Sequence, residues 1–261
     1  MFKEQIKTFK RYRFLLGELV KKGIKLKYRR SYLGILWTLL EPLLTTCVLT
    51  LVFGHFFGKN DKTFPVYILT GRLLYTFFSG ATKAAMKSIR AHAGMIKKVY
   101  VPKYIYPLSS VLFNFIIFMI SLIVLVGAAV VFKVYPTVWV FTGIVPLFML
   151  FMLTLGAGMI LSTMSVFFRD LEYLWDVALM LIMYTCAIFY KTETMEKTGS
   201  AWVFRLNPLY AIIRCFRDAV YGRNMFTEGY WFWMPMAVSI VSVIVGVALF
   251  KKNQDKFILH I

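Results

Sequence analysis

From Leu108 to Phe132 the chain carries no charged residue, and from Val134 to Phe168 it again carries none. Uncharged runs of this length have no place in a water-facing domain, because their polar backbone and apolar side chains are satisfied together only as helices in hydrocarbon. A helix needs about 20 mostly apolar residues to cross a bilayer core. The first run fits one crossing. The second exceeds one straight crossing, so part of it is tilted, kinked at Pro146 or outside the apolar layer. Gly229 to Phe250 is a third such segment, opened by the aromatic group Tyr230-Trp231-Phe232-Trp233 that suits a membrane–water interface. Three weaker segments complete the set. Leu33 to Phe57 is interrupted by Glu41-Pro42, Phe64 to about Met86 carries Arg72 and Lys83, and Leu171 to Tyr190 has Glu172 and Asp176 in its first turns. The pattern predicts an all-α membrane protein with six transmembrane helices.

Composition agrees. Of the 261 residues, 59% are hydrophobic and 16% charged, against about one quarter charged in a soluble domain. The net charge of +19 raises a nucleic-acid partner. Its distribution excludes one, because the cations sit in clusters between apolar runs rather than on a continuous basic face. With the N-terminus placed inside the cell, 20 of the 31 Lys and Arg fall in inner segments and 9 in outer ones. That bias predicts cytoplasmic N- and C-termini in a cytoplasmic (inner) membrane. Met1 to Arg30 does not read as a cleavable signal, since the apolar segment after it is too long.

Two connecting segments predict structure of their own. Residues 1–32 place Phe2, Ile6, Phe9, Tyr12, Leu16, Leu19 and Gly23-Ile24 at helical spacing among Lys and Arg. This reads as an amphipathic interface helix on the inner membrane surface, preceding a transmembrane domain over 33–261. The outer stretch of about residues 198–228 is too charged to span and too apolar for a free loop. Broken at Asn207-Pro208, it predicts a re-entrant pair of short helices.

Bond-making chemistry finds no support. His55, His92 and His260 are scattered, and no metal-ligand spacing occurs. Cys47, Cys186 and Cys215 read as small hydrophobes. Gly54 to Lys59 looks like a phosphate loop but lacks one residue between the glycines and the Ser or Thr after the Lys. The expectation is a chain that is not an enzyme and binds no cofactor or metal. Charges inside a span are costly and point to function, which singles out Glu41 and Arg72. Snorkelling to the headgroups is the competing reading for Arg72.

Several stretches resemble one family. They are Tyr28-Arg29-Arg30-Ser31-Tyr32-Leu33-Gly34-Ile35-Leu36-Trp37 with Glu41-Pro42-Leu43, Ile96-Lys97-Lys98-Val99-Tyr100-Val101-Pro102-Lys103 with Tyr106-Pro107-Leu108-Ser109, Phe167-Phe168-Arg169-Asp170-Leu171, and Leu206-Asn207-Pro208-Leu209-Tyr210. In this order they resemble the type-2 ABC exporter permeases that move lipid-linked polysaccharides such as O-antigen, capsule and teichoic acid. A type-2 permease for a small lipid or drug is the alternative.

The resemblance implies a homodimer of six-helix permeases, each docked on a separate ATPase subunit that holds ATP and magnesium, so two ATPase copies in all. It implies a lipid-linked glycan as substrate and an outer gate at the hairpin. It assigns ATPase coupling to the interface helix and a loop over about 88–106, here Arg90, Ile96, Lys97, Lys98, Tyr100, Pro102 and Lys103. The substrate path is expected at Glu41 and Arg72, the charges within spans, together with Tyr75, Arg214 and Arg217. Gly71-Arg72-Leu73-Leu74-Tyr75 departs from the family's usual Gly, two apolar residues, Pro and an aromatic, and adds a cation to the path.

Overall fold

The computed structural model describes residues 2–29, 31–57, 61–99, 101–135, 137–190, 201–226 and 229–260. Among them every regular element is helical. In chain order these are α1 (Phe2–Tyr28), α2 (Trp37–Phe57), α3 (Phe64–Ala91), α4 (Ala93–Ile96), α5 (Ile105–Val131), α6 (Ile144–Phe167), α7 (Leu171–Thr185), α8 (Ala201–Leu206), α9 (Pro208–Val220), α10 (Gly229–Asn253) and α11 (Phe257–His260).

Among the described residues, four segments are long and apolar enough to cross a membrane: Gly34–Gly54, Ile105–Val131, Val138–Phe167 and Gly229–His260. The two remaining expected spans differ for separate reasons. Helix α3 has ample length, 28 residues or about 42 Å, but one polar face. Helix α7 is apolar but has only 15 residues, about 22 Å at the α-helical rise. The chain beyond it, Cys186 to Phe189, is buried without being helical.

The long second run divides as its length requires. Residues Val138–Gly143 form a 3₁₀ turn before α6 begins, so Pro146 falls in the first turn of α6, where its missing N–H has no intrahelical partner to lose. Pro42 and Pro235 lie inside α2 and α10, which continue through them.

Helices α3, α5 and α6 form the centre, with α10 lying along α6 and α2 along α3 and α5. Glycine permits the tightest crossing. A Cβ on Gly156 would sit 2.4 Å from the Ser242 backbone carbon, and one on Gly246 would sit 2.6 Å from the Gly156 carbonyl oxygen. Close backbone approach at small residues is how helices gain packing where lipid supplies no hydrophobic drive.

The bundle has two distinct ends. At one, Leu16 and Leu19 of α1 join Ile96, Ile105, Val166, Phe250 and Phe257 in a single apolar cluster, and Lys103 Nζ donates to the Gln254 carbonyl. The second half of α1 therefore seats Leu16 and Leu19 on protein. Gly23 allows this, since a Cβ there would meet the Phe113 ring at 2.8 Å. At the other end, Tyr221 donates to the Thr63 carbonyl over 3.3 Å, and Gly222, with φ +72°, lies against Thr137. These are called the basic end and the hairpin end.

Candidate functional site

The seventeen buried residues of α3 cover most of its circumference. Apart from Pro65, Tyr67, Ala84 and Ala91, the residues left partly or fully open are Arg72, Thr76, Ser79-Gly80, Lys83, Lys87 and Arg90. Steps of three and four residues put them on one helix face, so a polar stripe runs down the helix from its hairpin-end third to its basic end. Helices α2 and α7 both pack on α3.

Near the middle of the stripe lies a cavity of about 110 Å³. Glu41 and Thr45 of α2, Arg72 and Thr76 of α3, Asn114 of α5, and Lys27 with Tyr28 at the end of α1 all line it. The two charges singled out within spans therefore share one cavity. They do not form an ion pair, and among the described residues no carboxylate lies within 4 Å of Arg72. Lys27 keeps an open flank. Desolvation by its neighbours lowers its ammonium below the usual lysine value, and the Glu41 carboxylate opposes that shift.

Toward the basic end the stripe is tied to α7. Lys83 pairs with Asp176 at 2.7 Å, Lys87 with Glu172 at 3.0 Å, and Arg90 also with Glu172. Trp175 Nε1 donates to Thr82 Oγ1 over 3.2 Å. Two α7 carboxylates are thus paired with cations of α3, among them Lys83, for which no role was expected.

The remaining sequence-predicted path residues lie elsewhere. Tyr75 is buried and its hydroxyl donates to the Leu179 carbonyl over 2.9 Å, holding α7. Arg217 is only 6% exposed. Its guanidinium donates to the carbonyls of Tyr67 and Ala187 and lies 3.5 Å from the Tyr67 ring centroid. In this arrangement it offers a substrate no surface. Arg214 stacks over Trp231 at 4.6 Å and lines a separate 250 Å³ cavity between α9 and α10. Asn207 caps α9, accepting from the N–H groups of Leu209 and Tyr210. Residues 198–200, 227 and 228 of the expected hairpin lie outside the described residues.

The expected coupling residues also separate. Lys97 and Lys98 are fully open, after α4. Ile96 is buried at 7% exposure and anchors that turn. Pro102 and Lys103 are half-buried, and Arg90 is held by Glu172. Tyr100 lies outside the described residues. Sequence reasoning missed Thr76, Ser79, Lys87, Asn114 and Lys27. The spacing 72, 76, 79, 83, 87, 90 was the available signal for those on α3.

Among the described residues, no three His, Cys, Asp or Glu side chains gather where they could hold a metal ion. An open, charged helix face in an otherwise apolar bundle is costly in lipid and points to function. The sequence model for the ABC-2 type transporter family matches residues 15–221. The chain belongs to the ABC-2 type transporter family. The match takes in the second half of α1 and all of α2 to α9. Over 246 residues this ABC-2 type chain is 28% identical to the O-antigen export system permease protein RfbA of Klebsiella pneumoniae, covering 93% of each protein. It is 26% identical to the protein of the same name from Myxococcus xanthus, covering 97% of each. It is 22% identical to the polysialic acid transport protein KpsM of Escherichia coli, covering 89% of this chain and 90% of the relative.

Proposed function

We propose that this chain is the membrane-spanning subunit of an ATP-driven exporter that moves a lipid-linked polysaccharide across the cytoplasmic membrane. The observation that carries the reading is the polar face of α3, which runs most of the helix length with Glu41 and Arg72 at one cavity. Family membership and the names of the relatives supply the substrate class. A glycan presents hydroxyls that exchange hydrogen bonds with Thr76, Ser79 and Asn114, and the cations of the stripe meet any acidic groups it carries.

In this reading α3 and α7 each cross the bilayer, giving six crossings after the interface helix of residues 1–32. The basic end faces the cytoplasm, as the excess of Lys and Arg favours. Two copies face each other so that their α3 stripes line one path, with the apolar outer faces of α2 and α7 toward the partner copy. The α8–α9 segment dips back from the far side and serves as the outer gate. Each copy rests on one ATPase subunit, which holds ATP and magnesium and hydrolyses the nucleotide.

Within the coupling segment, Lys97 and Lys98 are the groups free to contact that subunit. Ile96 holds their turn against α1 and α5, so force applied there reaches both helices. The test is charge reversal. Lys97→Glu with Lys98→Glu is expected to leave the protein folded and in the membrane while lowering glycan export at least about tenfold, the effect of losing about 1.4 kcal/mol of coupling. ATP hydrolysis by the assembled transporter should continue without export. Export at the unmodified rate refutes the docking assignment.

A further inference from the structure

The stretch after α10 is a 3₁₀ turn over Gln254–Lys256 followed by α11. Asp255, Lys256, Ile258, Leu259 and His260 are exposed, whereas Phe257 is 0% exposed. A helix of four residues has too few internal hydrogen bonds to stand by itself. Its place is therefore set by where Phe257 is seated. The Phe257 ring meets Phe250 of α10 edge-on at 5.1 Å and Phe167 of α6 at 6.0 Å. It belongs to the apolar cluster that also holds Ile96 and Ile105, the buried residues on either side of segment 97–104. Seated there, the stretch meets Lys103. The Lys103 ammonium donates to the Gln254 carbonyl and lies 5.9 Å from the Phe257 ring centroid. Among the described residues Lys103 has no carboxylate within 4 Å. A carbonyl dipole and a ring face hold its head group instead.

We infer that Phe257 is a positioning residue for ATP-driven export, tying the coupling segment to α6 and α10. The inference rests on the export reading and on the coupling role given to Lys97 and Lys98. Ile96 connects their turn to α1 and α5. The second link runs from Lys103 through Gln254 and Phe257 to Phe250 and Phe167, near the ends of α10 and α6. Those two helices meet backbone to backbone at Gly156 and Gly246, so they shift together. Close-packed side chains pass a displacement on rather than absorb it. A push on segment 97–104 from the basic end thus reaches four helices. Without the Phe257 ring the segment keeps its open lysines but loses its hold on α6 and α10, and the same push moves the segment alone.

Two measurements on the assembled transporter test this: glycan exported per ATP hydrolysed, and amide hydrogen exchange of segment 97–104. Phe257→Ala should lower the export ratio at least about tenfold, a loss of about 1.4 kcal/mol of coupling, with ATP hydrolysis retained. Its 97–104 amides should exchange at least about tenfold faster. Phe257→Leu, which keeps an apolar side chain in the seat, should restore the ratio to within about twofold. Lys103→Ala removes the same link from a half-buried position and should reproduce the loss. The two alanine changes combined should be no worse than the stronger one, because both break one contact chain. Leu150→Ala, a buried α6 change away from the basic end, controls for lost stability. It should lower export and hydrolysis together and leave the ratio unchanged. An unchanged ratio in both Phe257→Ala and Lys103→Ala overturns the inference, as does a ratio that falls equally in Leu150→Ala. Wild-type protein that exports no glycan rejects the export reading itself. The exchange rates then still decide whether Phe257 positions the segment, and equal rates in wild type and Phe257→Ala reject that.

Discussion

A guanidinium that is 6% exposed, with no described carboxylate paired to it, must have its charge met by dipoles. Arg217 does this through the Tyr67 and Ala187 carbonyls and the Tyr67 ring. Ala187 has φ +47°, a left-handed conformation that ordinary residues avoid. Its carbonyl also accepts from the Tyr67 hydroxyl. Arg217 thus fastens α9, α3 and the end of α7 at one point. Hydrogen bonds to charged groups contribute about 1.5–3 kcal/mol, so Arg217→Met should cost stability of that order and lower the unfolding midpoint in detergent. Arg217→Lys should fall between, because one ammonium cannot copy the fork. Thermal scanning of the three proteins decides it: a substrate-contacting Arg217 would change transport with the midpoint unmoved. From sequence, Arg217 and Arg72 looked alike as cations beside apolar segments. Which one is enclosed depends on contacts across long stretches of chain, such as Arg217 with Gly71, where a Cβ would lie 2.6 Å from Nη2.

At the scale of elements, apolar periodicity located the helices well and their partners poorly. Runs without charge became α5, α6 and α10 because nothing in them competes with helical hydrogen bonding in lipid. The stripe on α3 was legible in principle, since its polar positions recur at helical spacing. It was obscured because hydropathy averages a helix over all faces. The α6–α10 crossing was not legible, as Gly156 and Gly246 become meaningful only once the two backbones meet. Substituting either glycine by Ala places a Cβ against backbone atoms that cannot rotate away. Gly246→Ala and Gly156→Ala should each cost roughly the 1–3 kcal/mol typical of overpacking, and so reduce the unfolding midpoint and the folded yield. Gly127, in α5, has nothing within 4 Å of such a Cβ, and Gly127→Ala should be neutral or slightly stabilising because alanine favours the helix. Equal effects at all three positions would show that helix propensity, not the close crossing, governs.

At the scale of the whole molecule, the contacts at the two ends constrain how the chain threads the membrane. Lys103 bonds the Gln254 carbonyl and Phe167 packs on Phe257 at 6.0 Å, so the segments after α3, α6 and α10 share the basic end. Thr63 meets Tyr221, and Thr137 meets Gly222, so the starts of α3 and of the 138–143 turn share the other end with the close of α9. The chain must therefore travel from Arg169 at the basic end to Asn224 at the hairpin end. Helix α7 supplies about 22 Å of that path, against the roughly 30 Å of a hydrocarbon core. In the six-crossing arrangement we propose, the stretch from Cys186 to Phe189, buried in protein where non-helical backbone is tolerated, would carry the remainder, next to Asn207, whose side chain donates to Thr185. Single cysteines placed by Lys62→Cys, Lys97→Cys, Tyr135→Cys, Arg169→Cys, Asn224→Cys and Lys252→Cys, in a chain with Cys47, Cys186 and Cys215 replaced by alanine, read this directly. An impermeant thiol reagent added to intact cells should label positions 62, 135 and 224, and should reach 97, 169 and 252 only after the membrane is opened. The pair 169 and 224 decides. Labelling from the same side would mean that α7 does not cross, and parity would then put position 252 opposite position 97, against the apolar cluster that joins Ile96 to Phe250 and Phe257.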